Sequence, residues 1–265
     1  VDISDDGKTW TFKIRDGVTF HDGKPLTAED VAFTFNLYMQ HMDDFPYMSG
    51  YVIYFESVEA TDEKTVLIKL SEAIPNMKAQ LYYMYILPKH IWENLEGSEA
   101  AEFANADMIG SGPFKLLEFM DSEYVHLAVN KQHFLYKPRM DEVLFQTFEN
   151  ADLLVDAITQ GQVDMITQLP LDQAAGVGEV SDVQMVAGRP YAPIVSDIII
   201  NHIDPDDCPK DSGGLCTGHP ALRELTVRKA LALATNKTRI IDEVTFGLAE
   251  SGLTLIPTGL GQFYN

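Results

Sequence analysis

Two periodicities interleave along this chain without settling into a repeating unit, and that narrows the fold more than any other feature. Thr9-Trp10-Thr11-Phe12-Lys13-Ile14-Arg15 alternates strictly, with Trp10, Phe12 and Ile14 on one side, as in a half-buried strand. Asp16-Gly17 reads as a turn, Val18-Thr19-Phe20 as resumed strand and His21 to Leu26 as a second turn. Thr27 then reads as an N-cap, with Glu29 and Asp30 at the positive end of a helix dipole. The helix that follows carries Val31, Phe35, Tyr38 and Met42 on one stripe.

Strands are expected near 51–60 and 64–70, a short helix after Pro75, and another entered at Pro88 and running through Ile91 and Trp92. Gly110-Ser111-Gly112-Pro113 breaks the pattern before a meander near 113–119, 123–129 and 141–148. Asn150 and Gly161 bracket a helix. Val163-Asp164-Met165-Ile166 reads as a short buried strand, with further strands near 182–187 and 194–201. Two helices close the pattern, one carrying Val227, Ala230, Leu231 and Ala234, the next Ile240, Ile241 and Val244. Strands and helices mixed without a βαβ rhythm predict a mixed α/β (α+β) fold rather than a barrel.

Charge excludes some functions. Lys and Arg number 19 against 40 Asp and Glu, a net charge of −21 over 265 residues. Nucleic acid is not expected as a partner, because a phosphate backbone needs basic patches. Docking on anionic lipid through a polybasic face is not expected either. With 46% hydrophobic residues the chain is expected to fold, and no apolar run reaches the ~18 residues of a membrane span. No signal peptide is visible at Val1, so a mature, processed or truncated chain is expected.

The two cysteines, Cys208 and Cys216, enclose seven residues rich in Pro, Gly and Asp. That is not metal or thioredoxin-like spacing. A disulfide worth roughly 2.5–3 kcal/mol is the natural reading, and it places the chain in an oxidising compartment. Two free thiols are the alternative. Asp204-Pro205-Asp206-Asp207 hints at calcium but lacks the Gly and distal Glu of an EF-hand loop, so a solvated acidic loop is expected.

Catalytic signatures are missing. No two of the seven histidines stand at the i, i+4 spacing of a helical metal pair. There is no Gly-x-Ser-x-Gly elbow, no Walker loop and no dinucleotide fingerprint, and Gly110-Ser111-Gly112 reads as a tight turn. No metal site, cofactor or enzymatic activity is expected. The aromatics say more. Tyr82, Tyr83 and Tyr85 cluster around Met84, and Phe45-Pro46-Tyr47-Met48 falls in an expected loop. Tyrosine offers apolar area and a hydroxyl at low entropic cost, which suits a pocket. Ordinary strand packing is the competing reading, and alternation would then send about half of these side chains inward.

The stretch from Trp10 to Val31, with its Asp16-Gly17-Val18-Thr19-Phe20-His21-Asp22-Gly23-Lys24-Pro25-Leu26-Thr27-Ala28-Glu29-Asp30 core, resembles the signature of the family 5 extracellular solute-binding proteins, the peptide and nickel receptors of ABC importers. Ile86-Leu87-Pro88-Lys89-His90-Ile91-Trp92, Gly110-Ser111-Gly112-Pro113-Phe114-Lys115-Leu116, Gly161-Gln162-Val163-Asp164 and Val227-Arg228-Lys229-Ala230-Leu231 are similar to that family's segments in the same order. The resemblance implies incomplete periplasmic-binding-protein-like type II lobes with the family's extra lobe. Residues 1–107 would be the extra lobe, 108–202 part of the first ligand lobe, and 203–265 the start of the second, with the cysteine loop as an insertion.

Members are about twice this long, so a fragment is implied. The implied function is an extracytoplasmic receptor, either free or lipid-anchored upstream, that closes on a solute by hinge motion and delivers it to ABC permease subunits. Peptides are the expected solute and a monomer the expected state. Tyr47, Tyr82, Tyr83 and Tyr85 are the expected cleft wall, with Tyr191 and Asn201 flanking a strand toward the hinge. Asn201 has an equal alternative, that of satisfying backbone at the strand end. A nickel-complex receptor of the same family and an extracytoplasmic hydrolase are the competing functions.

Overall fold

The computed structural model describes residues 1–95, 97–167, 169–180, 182–186, 195–208, 218–252 and 254–255. Two compact units result, Val1–Thr147 and Phe148–Asn265.

The first unit opens with β1 (Asp2–Ile3) and β2 (Thr9–Lys13), then α1 (Ala28–Gln40), α2 (Pro46–Val52), β3 (Phe55–Asp62) and β4 (Thr65–Leu70). The four strands form one antiparallel sheet in the order β1-β2-β4-β3. Alternation in β4 buries Val66, Ile68 and Leu70. In β3 a register shift between Phe55 and Ser57 resets the alternation, so Phe55 and Val58, three residues apart, both reach the core. Against this face α1 packs Val31, Phe35 and Tyr38.

The start of α1 is tied down by one buried carboxylate. Asp30 is 5% exposed and accepts hydrogen bonds from the Thr27 N–H (2.8 Å) and hydroxyl (2.9 Å). Its other oxygen accepts from the Lys89 N–H at 2.9 Å, where α4 (Lys89–Trp92) begins. Between them lies α3 (Met77–Leu81), and α5 (Gly97–Glu102) follows.

The second sheet is the expected meander: β5 (Phe114–Met120), β6 (Tyr124–Val129) and β7 (Glu142–Gln146), antiparallel throughout. None of its strand residues is buried. Its approach is stitched to the early turn. His21 N–H donates to Gly110 O at 2.8 Å, and Lys115 Nζ donates to His21 O at 2.8 Å. Gly110 N–H reaches His21 Nδ1 (3.3 Å) while Nε2 lies 3.1 Å from Gly112 O, a pair that the Nε2–H tautomer satisfies together. Asn130, 3% exposed, donates to the same Gly112 O and accepts from Gln132 N–H.

The second unit contains α6 (Ala151–Thr159), α7 (Leu171–Gly178), α8 (Leu225–Ala234) and α9 (Lys237–Val244), with 3₁₀ turns at Pro205–Asp207 and Pro220–Arg223. Asn150 caps α6 by accepting from Leu153 N–H at 3.0 Å, and Gly161 follows at φ +69°, both as expected. No residue of α8 or α9 is buried.

Several expectations fail. Val163–Ile166 and the described parts of 182–187 and 194–201 form no strand among the described residues, 187 and 194 lying outside them; Ile199 is 86% exposed. An apolar run without a ladder partner has nothing to satisfy its backbone. Val18-Thr19-Phe20 forms only one bridge, Thr19 to Pro25, though Phe20 is fully buried. The segment 46–52 is helix rather than loop and early strand, because Pro46 sits at its N-terminus where a missing N–H costs nothing. Met42 lies past the end of α1 and is exposed.

Candidate ligand-binding site

The expected tyrosines come together on one surface of the first unit. Tyr47 and Tyr51 stand four residues apart on α2 and so share a helix face. Their rings meet edge to face at 5.7 Å, and the Tyr51 hydroxyl donates to that of Tyr47 at 3.3 Å. Tyr51 stacks on Tyr83 at 6.1 Å and 28°, and Tyr83 meets Tyr82 edge to face at 5.5 Å. The result is a continuous run of four rings, Tyr47–Tyr51–Tyr83–Tyr82. It stays in the open, with Tyr47 67%, Tyr82 70% and Tyr83 43% exposed.

The local fold explains the exposure. Met77 at the start of α3 and Met84 just beyond it are buried and fix this stretch to the core. Turn hydrogen bonds from Tyr83 N–H to Gln80 O and from Met84 N–H to Leu81 O close the chain between them. Leu87 N–H then donates to the buried Thr34 hydroxyl. With both anchors on one side, Tyr82, Tyr83 and Tyr85 all project outward, Tyr85 at 72% exposure. The strand alternation that would have buried half of them is therefore absent. Tyr51, the half-buried ring that joins the run to the core, was not among the expected residues.

The hydrogen bond to Tyr47, followed by burial and the neighbouring phenols, raises the Tyr51 pKa above that of an ordinary phenol. A separate depression of about 400 Å³ lies beside α1 and α4, lined by Phe33, Asn36, Gln40, His41 and the Lys89–Glu29 ion pair (2.8 Å). Within it Lys89 and Glu29 satisfy one another, and Glu93 also lines it. Among the described residues no group of three or more His, Cys, Asp or Glu is placed to hold a metal, and no helix is long and apolar enough to cross a membrane.

Comparison with known proteins places the chain. The model of the bacterial extracellular solute-binding proteins, family 5 (Middle), matches residues 1–265. The chain belongs to this family. Oligopeptide-binding protein AppA of Bacillus subtilis is 28% identical over 249 residues, which are 93% of this chain and 42% of AppA. The nickel-binding periplasmic protein of Escherichia coli is 25% identical over 264 residues, 95% of this chain and 45% of that protein. Among solved structures, the substrate-binding protein CtaP of Listeria monocytogenes superposes with a TM-score of 0.71 at 30% identity, covering 91% of this chain and 46% of CtaP. The chain thus spans about half the length of the curated relatives it matches. Mixed helices and sheets of the periplasmic-binding-protein type agree with the expected fold.

Tyr191 and Asn201 make up the second group of expected site residues. Tyr191 lies outside the described residues. Asn201 is in no strand, and its side chain accepts from Ile203 N–H at 3.3 Å, the backbone-satisfying role. Cys216 and residues 209–217 also lie outside the described residues, and no described cysteine is free.

Proposed function

We propose that this chain is part of the extracytoplasmic substrate-binding component of an ABC importer and that it takes short peptides. The family match over all 265 residues carries this reading, and an exposed run of tyrosines suits a solute held by stacking and hydroxyl contacts. Tyr47, Tyr82, Tyr83 and Tyr85, joined by Tyr51, are the proposed wall on this side of the cleft. Tyr191 and Asn201 remain proposed contacts from elsewhere in the chain.

In this reading the protein is a monomeric receptor without catalytic activity. It hands its solute to membrane permease subunits and is either free or lipid-anchored outside the cytoplasm. Residues 1–107, 108–202 and 203–265 are the proposed extra lobe, first-lobe portion and start of the second lobe. Cys208 and Cys216 are the proposed disulfide. The test is calorimetry on the full-length protein with a pool of short peptides, with nickel alone, with nickel plus histidine, and with a chromogenic ester panel. Heat from peptides alone supports the proposal. Heat only from nickel complexes replaces it with metal uptake, and ester turnover replaces it with a hydrolase.

A further inference from the structure

The tyrosine run stands out from the rest of the surface by its lack of charge. Charged residues make up 22% of the chain, yet 45–55 and 79–88, the two segments that build the run, contain none. A charged group set down on it would lose hydration and gain no counter-ion from these segments. The nearest acidic residue before α2, Asp44, is already engaged, 3.6 Å from His41. The rings present both edges and faces, the two geometries in which a further ring packs at 4.5–7 Å. Because the Tyr47 oxygen accepts from Tyr51, its own proton is left to donate outward, which suits a neutral carbonyl.

Cation–π attraction is the competing chemistry, aided by the net charge of −21. At exposed rings it is no stronger than an aromatic pair, and the distant charges are screened beyond about 8 Å at physiological salt. Resting on the peptide-receptor reading above, we infer that this surface is a side-chain subsite for an uncharged aromatic residue of the ligand and discriminates against acidic and basic residues at that position.

The test measures affinities of the full-length protein for Ala-Ala-Ala and for tripeptides carrying Phe, Lys or Glu at each position in turn. At one position Phe should bind about tenfold tighter than Lys or Glu, the effect of one or two additional ring contacts. Tyr47→Ala and Tyr82→Ala should each shrink that ratio to within about threefold. Both side chains are exposed, and thermal melts check that the variants fold. Tyr136→Ala, an exposed ring on a different segment, should leave the ratio unchanged. A Lys peptide that binds as well as the Phe peptide overturns the inference, as does a Phe preference that survives both variants. Binding of tripeptides without any preference overturns it while sparing the receptor reading. Failure of every peptide to bind removes both.

Discussion

Replacing Asp30 by Ala should loosen the start of α1 and the entry to α4 together. Three donors converge on this carboxylate: the Thr27 N–H, the Thr27 hydroxyl and the Lys89 N–H, at 2.8, 2.9 and 2.9 Å. Each hydrogen bond to a charged acceptor contributes about 1.5–3 kcal/mol net. The full sum is not realised, because the Thr27 hydroxyl turns to water once its acceptor is gone. The two backbone N–H groups are less free to do so, which leaves about 3 kcal/mol for Asp30→Ala. Thr27→Val should cost about 1 kcal/mol, as loss of a cap hydroxyl does. The double variant should cost about 0.5–1 kcal/mol less than the sum, since both substitutions remove the same bond. Hydrogen exchange of the α1 amides in the full-length protein reads these values as changes in local opening free energy. A loss below about 1 kcal/mol for Asp30→Ala, or strict additivity, would refute the reasoning.

Burial pushes the Tyr38 phenol up to about 12. A raised folded pKa gives full stability below the unfolded value near 10 and loses it as pH rises toward 12, so Tyr38→Phe should flatten the alkaline decline in melting temperature over that window. For Asp22, burial opposes ionisation, but the Lys24 N–H and the His90 imidazole 2.7 Å away outweigh it and hold the carboxyl below its ordinary value. Its contribution is present above that ordinary value and lost as pH falls through the lower one; Asp22→Asn should therefore make acid unfolding less steep just below pH ~4, as followed by circular dichroism. Asn130→Ala leaves the Gln132 N–H without its partner and the Gly112 carbonyl with His21 Nε2 alone, and should cost about 1 kcal/mol and raise exchange at 110–113. Gly97 sits at φ +53° with Asp44 Oδ2 3.1 Å from where a Cβ would lie, so Gly97→Ala should destabilise by about 1–2 kcal/mol in urea unfolding.

Most of the legible parts of the fold have partners close in sequence; β2, whose partner β4 is Thr65–Leu70, was legible through strict alternation alone. The β5–β7 meander pairs only with itself between sequence neighbours, and its pattern sufficed to place all three strands. The caps at Thr27 and Asn150 are equally local. Residues 163–166, 182–186 and 195–201 carry apolar residues in short strand-like patterns, but such a pattern states only that a segment prefers burial. Whether it becomes a strand depends on a partner that the run itself does not specify, and no described residue supplies one.

The site was half legible for a related reason. Composition singled out Tyr47, Tyr82, Tyr83 and Tyr85, but their orientation depended on which neighbours were anchored. Reading 82–85 as a strand gives alternate burial. The observed turn after α3, with Met77 and Met84 as anchors, turns all three tyrosines outward. Read as loop, 45–48 gives no reason to single out Tyr51. Once Pro46 is placed at a helix N-terminus, the i, i+4 relation pairs Tyr51 with Tyr47 at once. A helix of seven residues is too short to form without tertiary support, and Val52, buried at 0% exposure, supplies it. The tyrosine run therefore depends on the core beneath it. Truncating Val52 to Ala should disorder α2, separate the Tyr47–Tyr51 pair from Tyr83 and weaken ligand binding although no ring is altered, an outcome that aromatic ring-current shifts of Tyr51 and Tyr83 would report directly.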